Sequence, residues 1–378
     1  MTCGFTFGRL ALVFCCLLSL DTALGDTSRG NQFIGMDSLS GWAKSAGTSS
    51  RERVFTSPEI VSRIRWNELI LSWNVDAPKS TFAKFEVRVI LPNGPSKWYS
   101  MGLWSPERGR RPRESVLDQE DANGNVSTDT LILKRASDRF QVRATLGRDD
   151  VEKARLKFIG AALTDSTTGF PPLLPNKTAW GRLLPVPERT QMIYTNGHVI
   201  CSPTTVSMLM GYWATKLNRP EIDPDVPNVV DAVYDTNWKG AGNWAFNMAY
   251  AGGYNGIRAY VTRMSDISQL EEWIKTGTPV GLSVCYDLLR GRVSKANGHL
   301  VVLVGFDGNG DPVINDPGTT RDVRKTFKRQ NLARAWAYSK NAAYLIYPEG
   351  WEVPKDTFGE WDSWTSQTRL KKDKPLYK

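Results

Sequence analysis

Residues 298–317, GHLVVLVGFDGNGDPVINDP, leave the backbone little freedom. Leu300, Val301, Val302, Leu303 and Val304 form an unbroken apolar run, which suits a buried strand. Asp307-Gly308-Asn309-Gly310 follows, and then a second short apolar stretch at Val313 and Ile314. Asp-Gly and Asn-Gly pairs supply the backbone angles of a tight hairpin, so the chain is expected to double back here. Folding about that turn makes His299, at the start of the first strand, and Asp316, at the end of the second, near-neighbours on one face. A carboxylate in that place holds an imidazole in one tautomer.

About a hundred residues earlier stands Cys201, followed by Ser202-Pro203-Thr204-Thr205. Proline suits the first turn of a helix and serine suits its N-cap, so the thiol is expected at the positive end of a helix dipole. Such a site stabilises a thiolate, and the helix-end amides can donate to an oxyanion. Taken singly, a histidine at a strand end and an Asp-Pro turn are ordinary structural features. With Cys201 upstream they make a nucleophile, a general base and a group that orients the base. The other histidine, His198, lies three residues before Cys201 and is read as a polar rim residue of the site.

The chain has 378 residues and a net charge of +9. It opens on a leader-like segment: Arg9, the apolar run LALVFCCLLSL, and Ala23-Leu24-Gly25 as a cleavage site. Residues 1–25 are therefore expected to be a signal peptide, and the protein to be secreted, without an integral membrane segment. Cys3, Cys15 and Cys16 fall in that leader, which leaves Cys201 and Cys285. A disulfide between those two is the structural alternative to a reactive Cys201. The positive charge is mostly dispersed. Arg108, Arg110, Arg111 and Arg113 read as a solvated loop, and Lys371, Lys372, Lys374 and Lys378 as a solvated tail. No nucleic-acid motif, phosphate loop or metal-ligand spacing is present, so neither nucleic acid nor metal nor organic cofactor is expected.

Residues 26–52 are rich in Ser, Gly and Thr and read as a flexible lead-in. Six strand-like runs occupy 53–165 with no helical period among them, which predicts an antiparallel β-sandwich. Its Trp66, Trp73, Trp98 and Trp104 belong either to its core or, less in keeping with their type, to a groove for a cell-surface polymer. Residues 166–190 hold five prolines and read as a linker. From 191 to 350, helices and strands alternate in an α+β pattern with a mainly antiparallel sheet. Val206, Leu209, Met210, Trp213 and Leu217 share a helix face, and Ser268-x-x-Glu271 reads as a capping box. Residues 351–378 read as a basic tail. Separate cores predict that a fragment from about 185 to 350 keeps some turnover.

The second region resembles the papain-like cysteine peptidases related to the leader peptidases of bacteriocin exporters, in their secreted, stand-alone branch. The resemblance rests on Gln191, Cys201-Ser202-Pro203-Thr204, Gly242-Asn243-Trp244 with Ala245-Phe246-Asn247, Gly298-His299, and Asn315-Asp316-Pro317. The β-rich region is also similar to one that precedes this domain in secreted bacterial members. The resemblance implies that Cys201 is the nucleophile, His299 the base, Asp316 its orienting group and Gln191 an oxyanion donor. Ser202, Asn243, Trp244 and His198 are the expected substrate-facing residues. Ser202 departs from the Cys-Gly-Pro-Thr of many relatives and puts a side chain beside the nucleophile. The fold class is thus a papain-like α+β domain preceded by a β-sandwich. The expected function is hydrolysis of a peptide or isopeptide bond through a thioester. Transfer of the acyl group to an amine, as in a transglutaminase, and a non-catalytic surface-binding protein are the alternatives.

Overall fold

The computed structural model describes residues 28–107, 111, 113–148, 153–293 and 297–362. The leader, Arg108, Arg110 and the lysines from 371 onward lie outside the described residues. Ten strands build the first region: β1 (Asn31–Met36), β2 (Ala43–Ala46), β3 (Glu52–Thr56), β4 (Ile60–Asp76), β5 (Thr81–Leu91), β6 (Gly94–Pro95), β7 (Tyr99–Trp104), β8 (Gly124–Ser127), β9 (Thr130–Arg148) and β10 (Arg155–Thr164). Every pairing among them is antiparallel. Along β9, one edge carries β4 and then β3, and the other carries β8 and then β5. The strands therefore form one hydrogen-bonded network, not the two separate sheets expected of a sandwich. Two of the six expected strands fuse into the 19-residue β9, because the register shifts opposite Trp66 let it continue past the irregular stretch.

Three segments without a strong period are ordered by long-range contacts. The expected lead-in contains β1, buried along its whole length beside β10. The expected linker is tied down. Asn176 N–H donates to Glu271 Oε2 at 2.6 Å, Trp180 Nε1 donates to Glu271 Oε1 at 2.7 Å, and Leu183 bridges to Gly305. Residues 351–362, expected to be tail, return across the molecule. Phe33 N–H donates to the Gly359 carbonyl, Tyr260 Oη donates to the Trp361 carbonyl, and the Trp361 ring is buried. Trp66, Trp73 and Trp104 are core, so they line no groove; Trp98 is half-buried between the guanidinium groups of Arg88 and Arg143. Arg113 is not solvated either. It is buried and donates to the carbonyls of Ser105, Asp231 and Tyr234.

The second region contains α1 (Cys201–Leu217), α2 (Val226–Val233), α3 (Trp244–Gly253), β11 (Ile257–Arg263), α4 (Ile267–Lys275), β12 (Val280–Cys285), α5 (Tyr286–Leu289), β13 (Gly298–Phe306), β14 (Pro312–Asn315), β15 (Arg324–Thr326), α6 (Arg329–Ala337) and β16 (Ala342–Pro348). Its antiparallel sheet runs β11-β16-β12-β13-β14-β15. The capping box of α4 is Asp266 with Gln269, not Ser268 with Glu271. Glu271 is fully buried instead and accepts from Asn176, Trp180 and Arg329. No helix of the described residues is long and apolar enough to cross a membrane.

The two regions share one interior. Phe246 of α3 meets Trp73 edge-on and Trp104 at a tilt, and Tyr260 of β11 stacks on Phe33 at 4.3 Å. The Asn74 side chain both donates to and accepts from the backbone of Ala259, as an extra strand would. Arg263 pairs with Glu68 at 2.6 Å, both nearly excluded from water, and Lys340 bonds the second Glu68 oxygen. This seam removes the basis for expecting activity from a fragment spanning about 185 to 350.

Candidate active site

Cys201 is the first residue of α1. Ile200 occupies the N-cap and no side chain caps the helix; the expected cap, Ser202, already lies inside it. The half-buried thiol thus faces the helix's own free amides. β13 brings His299 to it from the sheet. Val284 lies opposite His299 in the β12–β13 ladder, so its neighbour Cys285 faces the other side of the sheet. Cys201 and Cys285 are not joined by a disulfide, which excludes that alternative.

The hairpin forms about the expected turn with a slightly different register. Val302 pairs with Asn315 and Phe306 with Pro312, with a bulge between Leu303 and Gly305. Continued outward, that register sets Gly318 opposite His299 and makes Asp316 the diagonal neighbour. The outcome is the expected contact: His299 Nε2 lies 2.8 Å from Asp316 Oδ1. With Nε2 engaged by the carboxylate, Nδ1 is the nitrogen left for Cys201, to which His299 is hydrogen-bonded.

Burial alone would push the Cys201 thiol up. The hydrogen bond and charge of His299, with the amides of Leu300 and Ser202, outweigh it and bring the thiol below its ordinary range. Burial likewise disfavours an imidazolium at His299, but Asp316 and the Cys201 sulfur raise that group to about 9. Asp316 is held below the usual carboxylate range: burial opposes this, and His299, Tyr286 and the Gly318 amide overcome it. The arrangement suits a thiolate–imidazolium pair in a setting shielded from water.

Two residues of this cluster carry no local sequence signal. Tyr286 follows β12 directly and donates its hydroxyl to Asp316 Oδ2 at 2.8 Å. Its ring lies 4.2 Å from the imidazole, while the Arg290 guanidinium lies 3.7 Å from the ring centre. Gly318 donates its N–H to Asp316 Oδ1 at 2.9 Å. A Cβ there would stand 3.1 Å from His299 Cε1 and 3.2 Å from Asp316 Oδ1, so glycine lets this turn close on the pair. Tyr286→Phe keeps the ring and loses a hydrogen bond to a charged group, worth about 1.5–3 kcal/mol. The Asp316 pKa is then expected to rise, and turnover to fall roughly tenfold. A pH–rate profile with an acid limb moved to higher pH checks this.

The other expected site residues divide. Gln191 is buried; its Nε2 donates to the Gly197 carbonyl, its Oε1 has no partner among the described residues, and its backbone N–H donates to Pro317 O at 2.9 Å. It thus ties the cysteine loop to the residue after Asp316. His198 is exposed on the turn Gly197–Val199, and the imidazole bonded to the thiol is that of His299. Asn243 is fully buried, caps α3, and donates to Asp235 Oδ2 at 3.0 Å. Its polar atoms are spent on the fold, so it is not substrate-facing. Ser202 is also buried, with its hydroxyl 2.8 Å from that of Tyr344. Trp244 is half-buried; its N–H donates to Asp129 Oδ2 at 2.6 Å. Among the described residues there is no cluster of three or more side chains able to hold a metal ion.

Comparison with known families matches residues 38–164 to the Peptidase C39 N-terminal domain and residues 183–344 to the Peptidase_C39 like family. No curated protein matches the chain.

Proposed function

From the premise that the chain belongs to the C39-type papain-like peptidases that carry an N-terminal domain, we propose that it cleaves amide bonds through an acyl-thioester on Cys201. The observation that carries the reading is the continuous contact from the Cys201 thiol through His299 to Asp316, with Tyr286 and Gly318 on the two carboxylate oxygens. The Cys201 thiolate attacks the scissile carbonyl carbon. The oxygen that gains charge is met by the Ser202 N–H and by the second N–H of Gln191, the first being held by Gly197. His299 gives its Nδ1 proton to the leaving nitrogen as the C–N bond breaks. It then takes a proton from the water that hydrolyses the thioester, and Asp316 holds Nε2–H throughout. The substrate is a peptide or isopeptide, and the leader-like residues 1–25 support a secreted enzyme.

Mass spectrometry of full-length mature protein incubated with a peptide library and an added primary amine tests this. An acyl adduct on the Cys201 peptide and free carboxylate products are expected. Products joined to the amine would identify an acyltransferase instead, and intact peptides with no adduct would refute the reading.

A further inference from the structure

Ser202, the residue after the nucleophile, hides its hydroxyl instead of offering it. It is 1% exposed, and its Oγ lies 2.8 Å from the hydroxyl of Tyr344, also 1% exposed. Tyr344 stands on β16, inside the sheet, opposite Val261 on one side and Gly281 on the other. Gly281 makes the close approach of α1 possible. A Cβ there would lie 2.9 Å from Tyr344 Cβ and 3.1 Å from Thr205 Cγ2. The first turns of α1 therefore rest on the β12–β16 pair, with the two hydroxyls bridging helix and sheet. Burial, with the nearby Asp129 and Cys201, keeps the Tyr344 phenol protonated across any working pH.

Stability alone does not call for this bridge. α1 is buried on nearly every side through Val206, Leu209, Met210 and Trp213, and replacing both members of a buried hydrogen bond by apolar groups is close to neutral. The bridge holds by its side chain the residue whose backbone N–H helps to lower the Cys201 thiol below its ordinary range. We propose that Ser202 and Tyr344 are positioning residues that lock the first turn of α1 so that this N–H stays aimed at the sulfur and at the oxyanion that forms beside it. The inference rests on the reading of Cys201 as the nucleophile.

The test uses the full mature chain with Ser202→Ala, Tyr344→Phe and the double variant. Melting temperature is measured beside the rate of iodoacetamide alkylation of Cys201 from pH 5 to 9, read on its own peptide so that Cys285 does not contribute. Each single variant leaves one buried hydroxyl unpaired and is expected to melt lower, while the double variant regains stability. All three are expected to alkylate Cys201 roughly three- to twentyfold more slowly at pH 6, with profiles moved to higher pH. A double variant with wild-type melting and a wild-type profile would overturn the proposal. If the double variant does not fold, an unchanged profile for Ser202→Ala alone overturns it. A wild-type Cys201 that reacts at pH 6 no faster than an ordinary thiol overturns the underlying reading as well, so the two failures are distinguishable.

Discussion

Alanine at Cys201 will abolish turnover, and alanine at His299 will lower it by roughly two to four orders of magnitude. His299→Ala leaves the thiol at the helix dipole with the Ser202 and Leu300 amides, but removes its proton acceptor. Asp316→Asn should be milder. The asparagine oxygen keeps the bonds from His299 and Gly318, and its NH2 can donate to Tyr286 once that hydroxyl turns to accept. What is lost is the charge that holds the imidazolium. His198→Ala should matter least, because that ring is exposed on its own turn. Steady-state kinetics on a peptide identified by the library experiment checks the ranking.

Removing the first region will leave the second unable to fold stably. Phe246 would lose Trp73 and Trp104, Tyr260 would lose Phe33 and Phe158, and each fully buried side chain of that size is worth about 1.5–3 kcal/mol. Arg263 would also lose Glu68, and stranding one member of a buried pair costs about 3–5 kcal/mol. Those losses together match the whole stability of an ordinary domain, about 5–15 kcal/mol. A fragment from about 185 to 350 is therefore expected to be aggregated or unfolded by circular dichroism. A folded, cooperatively melting fragment would contradict the seam's importance. The smaller change Glu68→Gln in the full chain should lower the melting temperature without altering the pH dependence of Cys201.

The contact between His299 and Asp316 is more legible in the chain than the architecture around it. Cys201, His299 and Asp316 stand on local features, a helix start and a hairpin, and a register slip of a residue or two still leaves His299 within reach of Asp316. For Ser202 and Asn243 polarity near a nucleophile suggests a substrate contact, yet both spend their polar groups on buried partners, Tyr344 and Asp235. Tyr286 and Gly318 carry no sequence signal because only the β12–β13 ladder and the turn after Asp316 bring them to the imidazole. The segments read as lead-in, linker and tail lack periodicity since their order comes from contacts far along the chain, such as Phe33 with Gly359 and Asn176 with Glu271.

The thiolate–imidazolium pair also sets a pH window. A histidine in the unfolded chain releases its proton near 6.5, whereas His299 keeps its own to about 9. The His299 contribution to stability is thus fully present below 6.5 and lost as pH rises through about 9, whereas Cys201, held below its ordinary range, contributes in the opposite sense and loses its share as pH falls through that lowered value. Turnover should fall in the same upper range, where the proton for the leaving nitrogen is gone.

The most direct measurement is the rate of Cys201 alkylation at pH 6 in the wild type, His299→Ala and His198→Ala. The wild type and His198→Ala should react as thiolates, and His299→Ala should stay slow until the pH approaches 9. Loss of reactivity in His198→Ala with His299→Ala unaffected would contradict the hairpin pair, and would make His198 the base.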